Sequence, residues 1–121
     1  MTISQVTIDI IQTYCLAIFN CELVLNQLNL PANEIRIVHL KSLEPNSGNG
    51  TKALYWLIFI LPKYQIKKIH LQASPLGGMS KEERDAGCSR LVKFYRKFGF
   101  KVVRFSGPDT FVANVDMELK L

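Results

Sequence analysis

The chain has 121 residues, 48% of them hydrophobic and 21% charged, with a formal net charge of +5 and a pI near 9.2. These proportions exclude a disordered or membrane-embedded chain, and the length suits one domain whose core needs no disulfide or metal to hold it. The basic balance favours an anionic partner, yet Lys and Arg are scattered rather than blocked together, which points to a phosphate-bearing ligand more than to nucleic acid.

Three cysteines, Cys15, Cys21 and Cys88, form an odd set without Cys-x-x-Cys spacing, so reduced buried thiols are expected and a zinc site is not. No basic cluster precedes an apolar stretch at the N-terminus, which argues against a secretory leader and makes the cytoplasm the default location. The apolar run 53–61 is too short for a bilayer and ends at Pro62, so it reads as core.

In chain order, the first thirty residues are ambiguous. Val6, Ile8 and Ile10 alternate with Thr7 and Asp9, and Leu23 and Leu25 alternate with Val24 and Asn26, as in two or three antiparallel strands. Ile10, Ile11, Tyr14, Ile18 and Leu25 also suit a helix; the strand reading is preferred. From Glu34 the pattern is clearer: Ile35, Ile37 and His39 alternate with Arg36, Val38 and Leu40 in a strand after the Pro31 and Asn33 turn. Residues 51–61 place Ala53, Leu54, Leu57, Ile58 and Leu61 at helical spacing, and their near-complete apolarity predicts a helix buried against a sheet and stopped by Pro62.

Ile69, Leu71 and Ala73 form the next strand, followed by a loop with Ser74, Pro75, Gly77 and Gly78. Ser80 and Glu83 make a capping box for a charged helix reaching about Phe98, with Cys88, Leu91, Val92, Tyr95 and Phe98 on its apolar face and Gly99 as its stop. Two strands, 100–105 and 111–121, close the chain around a Gly107-Pro108-Asp109 turn.

Between a strand and a helix start lies Ser47-Gly48-Asn49-Gly50-Thr51, an arrangement that aims free backbone amides and the positive end of a helix dipole at one spot. A Walker A loop needs four residues between its glycines and a Lys before Ser or Thr, and this loop has neither. Gly48, Gly50 and Ala53 spell a dinucleotide fingerprint, but the following strand ends in Gln72, Ala73 and Ser74 without the ribose-binding acid.

A third candidate is a loop that wraps the pyrophosphate of coenzyme A. The segment 43–54, Leu-Glu-Pro-Asn-Ser-Gly-Asn-Gly-Thr-Lys-Ala-Leu, resembles the pyrophosphate motif of the GNAT superfamily of N-acetyltransferases. The segment 91–100, Leu-Val-Lys-Phe-Tyr-Arg-Lys-Phe-Gly-Phe, resembles that family's helix ending in Phe-Tyr-x-x-x-Gly-Phe, and 117–121, Met-Glu-Leu-Lys-Leu, its closing strand. The likeness covers roughly residues 34–121. It implies an α/β (α+β) fold whose mixed, mostly antiparallel sheet is flanked by helices. It also implies a single acyl-CoA N-acyltransferase domain over 1–121, and a pantetheine arm inserted where the sheet splays between the strand ending near Leu43 and the strand 69–73.

What the resemblance implies for function is transfer of an acetyl group from acetyl-CoA to a primary amine, without a metal or a covalent enzyme intermediate. Tyr95 corresponds to the tyrosine that protonates the departing thiolate as general acid; its plain structural reading is one more residue of an apolar helix face. Leu43, Ser47, Gly48, Asn49, Gly50 and Thr51 fall on the cofactor-binding loop, for which a plain tight turn is the alternative. Lys52, Lys93, Arg96 and Lys97 are candidates for the adenosine phosphate, though the last three also suit a solvated helix face.

Two positions depart from the family pattern. Pro45 stands where Arg or Gln usually precedes the loop glycines, and Cys88 stands where an Asn often sits seven residues before the helix tyrosine, with Ser89 beside it as the remaining polar cofactor contact. Both support a contrasting reading, a degenerate fold that binds coenzyme A or a protein without catalysis. Glu34, His39 and Glu44 are candidate bases for the amine, none preferred; alternation puts His39 on the side of Ile35 and Ile37. Cys88 lacks a matched His and reads as a small buried residue rather than a nucleophile. Only about 33 residues precede the strand that feeds the loop, where the family normally has two helices, so the acceptor pocket is expected to be open or completed by a partner. An open pocket favours a protein or peptide amine. A homodimer is left open, and membrane and nucleic acid are not expected partners; a small RNA-binding or toxin-like module lacks the Arg-rich or aromatic-rich surface it would need.

Overall fold

The computed structural model describes residues 3–73, 81–106 and 114–121. These comprise three helices and five strands, in the order α1 (Gln5–Phe19), β1 (Cys21–Asn26), β2 (Glu34–Ser42), α2 (Asn49–Ile60), β3 (Lys68–Ala73), α3 (Lys81–Arg96), β4 (Lys101–Ser106) and β5 (Asn114–Lys120). The strands form a mixed five-stranded sheet with the order β1-β2-β3-β5-β4, the α/β (α+β) class expected from the sequence. The chain divides into two compact units, one of residues 3–69 with Leu121 and one within residues 70–120.

In the first unit the N-terminal strands expected before residue 20 are replaced by a helix. The Ser4 hydroxyl accepts the Thr7 amide at 3.1 Å and caps α1, while Asn20 ends it in the left-handed conformation with its amide on the Leu16 carbonyl at 3.1 Å. Ile8, Ile11 and Cys15 make the buried face at helical spacing. Val6 and Ile10, which share a face with Ile8 in a strand, lie in solvent at 67% and 63% exposure. Leu23 and Leu25 do alternate as a strand, in β1. The Gln12 side-chain carbonyl accepts the Leu25 amide at 2.8 Å and ties α1 to that strand.

Helix α2 buries Ala53, Leu54 and Leu57, and Leu61 follows in a short 3-10 turn (Leu61–Tyr64) that carries Pro62 near its start. Each such leucine contributes about 1.5–3 kcal/mol by leaving water. The helix is not buried all round: Tyr55 and Phe59 point to solvent, and the Lys63 ammonium sits 4.2 Å over the Phe59 ring. Trp56 joins α2 to α1, its ring 5.0 Å from that of Tyr14 and 5.6 Å from that of Phe19.

In the second unit the alternation expected of β3 is observed, with Leu71 and Ala73 buried. Helix α3 stops at Arg96, two residues before the expected end. Gly99, at φ 97°, closes a Schellman motif: its amide bonds Arg96 and the Phe100 amide bonds Tyr95. A Cβ at Gly99 would also press on Leu119 at 3.1 Å, so glycine is required here twice over. β4 and β5 pair antiparallel, and Asp116 takes Arg104 at 2.5 Å and the Gln72 amide at 3.1 Å. The loop of Ser74, Pro75, Gly77 and Gly78, the Ser80 cap and the Gly107-Pro108-Asp109 turn lie outside the described residues.

Candidate functional site

The glycine loop is held by serines. Ser42, the last residue of β2, donates its hydroxyl to the Glu44 carbonyl at 2.8 Å, and Ser47 donates to the same carbonyl at 2.7 Å while accepting the Asn49 amide at 3.2 Å. Asn46 and Gly48 take left-handed conformations at φ 60° and 78°, which turn the chain from strand into helix. Leu43, at the bend, bonds its amide to the Asn20 carbonyl at 2.9 Å and leaves its side chain exposed.

The first hydrogen bond within α2 runs from the Lys52 amide to the Gly48 carbonyl at 3.1 Å. With the Asn49 amide taken by Ser47, the amides of Gly50 and Thr51 have no acceptor among the described residues. They point outward from the positive end of a 12-residue helix whose first turn carries no acidic side chain. A Cβ at Gly50 would meet nothing within 4 Å, so the helix start has open space beside it. Two free donors at a helix start are an arrangement that can receive an anion. Of the residues named from the sequence, Gly50 and Thr51 offer donors, Gly48 makes the turn, and the Ser47 hydroxyl and Asn49 amide are spent on the frame. Pro45 is exposed in the turn before them.

Tyr95 lies in the last turn of α3, in the second unit. Its ring meets Phe94 edge-on at 5.2 Å and Phe100 at 5.8 Å, and its carbonyl accepts the Phe98 amide at 3.0 Å. The Tyr-x-x-x-Gly-Phe spacing is thus a Schellman stop that also builds an aromatic wall around the phenol. Burial pushes the phenol above its ordinary value of 10.0, and its hydroxyl has no hydrogen-bond partner among the described residues. It stays protonated at neutral pH, a donor awaiting an acceptor. Ser89 is exposed, as are Lys93, Arg96 and Lys97, two of which face the negative end of α3 in its last turn. The Cys88 side chain lies outside the described residues.

The place expected for His39 is corrected by a bulge. β1 and β2 pair in register from Cys21 with Ser42 to Val24 with His39, then shift so that Leu25 meets Ile37 and Val38 is left without a partner. The extra residue turns His39 away from Ile35 and Ile37. Its Nε2 lies 3.5 Å from Glu22 Oε2, on an open face with both side chains about half exposed. No glycine or proline marks this bulge, so nothing in the local sequence announces it. Glu34, half-buried, stands at the start of β2, and Glu44 is exposed beyond its end.

Cys15 and Cys21 are fully buried free thiols. Burial, with Cys21 close by, raises the Cys15 pKa from 9.0 to about 11, and burial also raises that of Cys21, so both stay neutral and unreactive. Among the described residues no three His, Cys, Asp or Glu side chains gather to hold a metal, and no helix is long and apolar enough to cross a membrane.

No protein-family model matches the sequence, and no curated protein matches it. Solved structures do match. Ard1 from Thermoplasma volcanium superposes with a TM-score of 0.62 at 13% identity over 84% of this chain and 62% of its own. Arabidopsis thaliana Naa50, in complex with the bisubstrate analogue CoA-Ac-MVNAL, gives 0.54 at 16% identity over 84% of this chain and 64% of its own. The ribosomal-protein-S18-alanine N-acetyltransferase from Escherichia coli gives 0.55 at 12% identity over 99% of this chain and 91% of its own. The chain spans less than two thirds of the Ard1 structure. The fold is that of the GNAT-superfamily N-acetyltransferases.

Proposed function

We propose that this chain is an acyl-CoA-dependent N-acyltransferase that moves the acetyl group of acetyl-CoA onto a primary amine of a peptide or protein. The observation that carries the reading is the pair of unpartnered amides of Gly50 and Thr51 at the start of α2, in a chain with the acetyltransferase fold. These amides and the α2 dipole receive the cofactor pyrophosphate, and the Thr51 hydroxyl adds a contact. The unencumbered Gly50 lets the phosphate approach the backbone. Naa50 with its CoA-peptide analogue, and an enzyme named for an alanine of a ribosomal protein, support a peptide acceptor.

The chemistry needs no covalent link to the protein. The amine nitrogen attacks the thioester carbonyl carbon, a C–N bond forms and the C–S bond breaks. Tyr95 gives its phenolic proton to the departing sulfur, and the surplus proton of the new amide leaves to a base. A phenol held neutral by burial suits that task, because it carries its proton at every pH where the reaction runs.

Titration with acetyl-CoA and with coenzyme A, read as a thermal shift, tests binding; thiol release with short peptides tests transfer. A ligand at a hundredfold its Kd adds about 2.7 kcal/mol to stability, enough to raise Tm by several degrees. The expected result is stabilisation by both ligands and thiol release that falls about a hundredfold in Tyr95→Phe with cofactor affinity unchanged. Stabilisation without thiol release, in the wild type as in Tyr95→Phe, selects the second reading, a non-catalytic binding module, for which Pro45 at the loop is the supporting observation. No stabilisation at millimolar cofactor contradicts both.

A further inference from the structure

We infer that Asn49 is a site of covalent self-modification, at which the Gly50 backbone nitrogen closes on the Asn49 side chain, expels ammonia and leaves an aspartyl or isoaspartyl residue at the start of α2. The consequence for cofactor binding rests on the reading above; the modification itself does not. Of the seven asparagines in the chain, Asn49 alone precedes a glycine. The other six are followed by Cys21, Gln27, Leu30, Glu34, Ser47 and Val115, each with a Cβ that crowds the nitrogen that must attack.

The fold leaves both reacting groups free. Among the described residues the Gly50 amide has no acceptor and the Asn49 carboxamide has no hydrogen-bond partner, and both residues are only half-buried. The nitrogen takes on negative charge as it attacks, and the positive end of the α2 dipole favours that charge. Ring closure requires the Asn49 backbone to leave its helical conformation. That opening is confined to the first turn, where the N-cap Gly48 supplies no side-chain bond and glycine flanks Asn49 on both sides. The bonds it disturbs, from the Asn49 amide to the Ser47 hydroxyl at 3.2 Å and from the Lys52 amide to the Gly48 carbonyl at 3.1 Å, lie on an exposed turn where water replaces them.

In the step, the Gly50 nitrogen forms its bond to the side-chain carbonyl carbon of Asn49 and the bond from that carbon to the side-chain nitrogen breaks. The proton lost by the Gly50 nitrogen leaves with ammonia, and water opens the five-membered imide at either carbonyl. The balance is one water consumed and one ammonia released, with no oxidant or second protein. Opening at one carbonyl gives aspartate, whose charge suits the helix start but repels a phosphate there. Opening at the other gives isoaspartate, which puts an extra carbon in the main chain and moves the Gly50 and Thr51 amides apart from their present places. On the transferase reading, either product keeps the fold and loses affinity for the cofactor.

The test stores the folded wild type, Gly50→Ala and a synthetic peptide of residues 43–52 at 37 °C, at pH 7 and pH 9, and follows residue 49 by peptide mass mapping with enzymatic labelling of isoaspartate. The expected result is a gain of about 1 Da at residue 49 of the folded wild type, ahead of the other asparagines and faster at pH 9. Gly50→Ala slows it severalfold or more, and thermal unfolding of each sample verifies that the stored chain is still folded. A residue 49 that keeps its amide in the folded chain after the peptide has converted, or a Gly50→Ala variant that converts as fast as wild type, overturns the inference. The consequence is read with Asn49→Asp, which is expected to fold with an unchanged or slightly raised Tm and to bind acetyl-CoA about fivefold or more weakly in calorimetric titration. Equal affinity in Asn49→Asp overturns the consequence for the cofactor. A wild type that converts at residue 49 but binds no acetyl-CoA overturns the transferase reading and leaves the modification standing.

Discussion

Gly48 and Gly50 stand two residues apart and serve different ends. Gly48, at φ 78°, needs the freedom of glycine, so Gly48→Ala is expected to cost about 1 kcal/mol in urea unfolding. Gly50 is helical and faces open space, so Gly50→Ala keeps or slightly raises stability while a methyl group over the two free amides weakens acetyl-CoA binding, as calorimetric titration will show. Cys15 sets a pH limit on stability. Its thiol has a raised pKa in the folded state, about 11 against 9.0, so the stabilisation is complete below pH 9 and is lost as pH rises through 11. Burial of the Tyr95 phenol has the same sign: its contribution is complete below pH 10 and fades above it. Urea titrations from pH 8 to 11 should show the decline, shallower in Cys15→Ala.

At the scale of elements, α1 shows how an apolar pattern can mislead. Val6, Ile8 and Ile10 alternate as a strand would, because α1 carries apolar residues on its exposed side as well as its buried one. What decides is at the ends, where Ser4 and Asn20 cap the segment, and in the Ile8, Ile11 and Cys15 stripe. The helix predicts Ile8→Ala to cost about 2–4 kcal/mol and Ile10→Gln to change stability by less than about 0.5 kcal/mol. In a strand the two residues would share a face and behave alike; denaturation of both variants separates the cases. The elements from β2 onward were legible because their periods are clean and glycines and Pro62 mark their ends. The bulge at Val38 was not, because cross-strand register depends on β1, whose place the sequence leaves unspecified. His39 was therefore named as a candidate but placed on the wrong side.

Across the whole molecule, the fold matches solved acetyltransferases at 12–16% identity, so it is kept by few residues. Those the sequence made visible are the ones whose backbone has no alternative: Gly48 in the turn, Gly99 in the Schellman stop, and the aromatic residues packed around that stop. The identity of the acceptor is not among them, since side chains on open strand faces carry no comparable constraint. The charge of +5 predicts that affinity for the anionic cofactor falls as salt rises, measurable by titration at two ionic strengths. The central claim, that acetyl-CoA seats its pyrophosphate on the start of α2, is tested most directly by amide-resolved NMR of labelled protein during acetyl-CoA titration. The account predicts that the Gly50 and Thr51 amide resonances move furthest among those of the loop and saturate with binding. Saturable binding that leaves those two amides in place would contradict it.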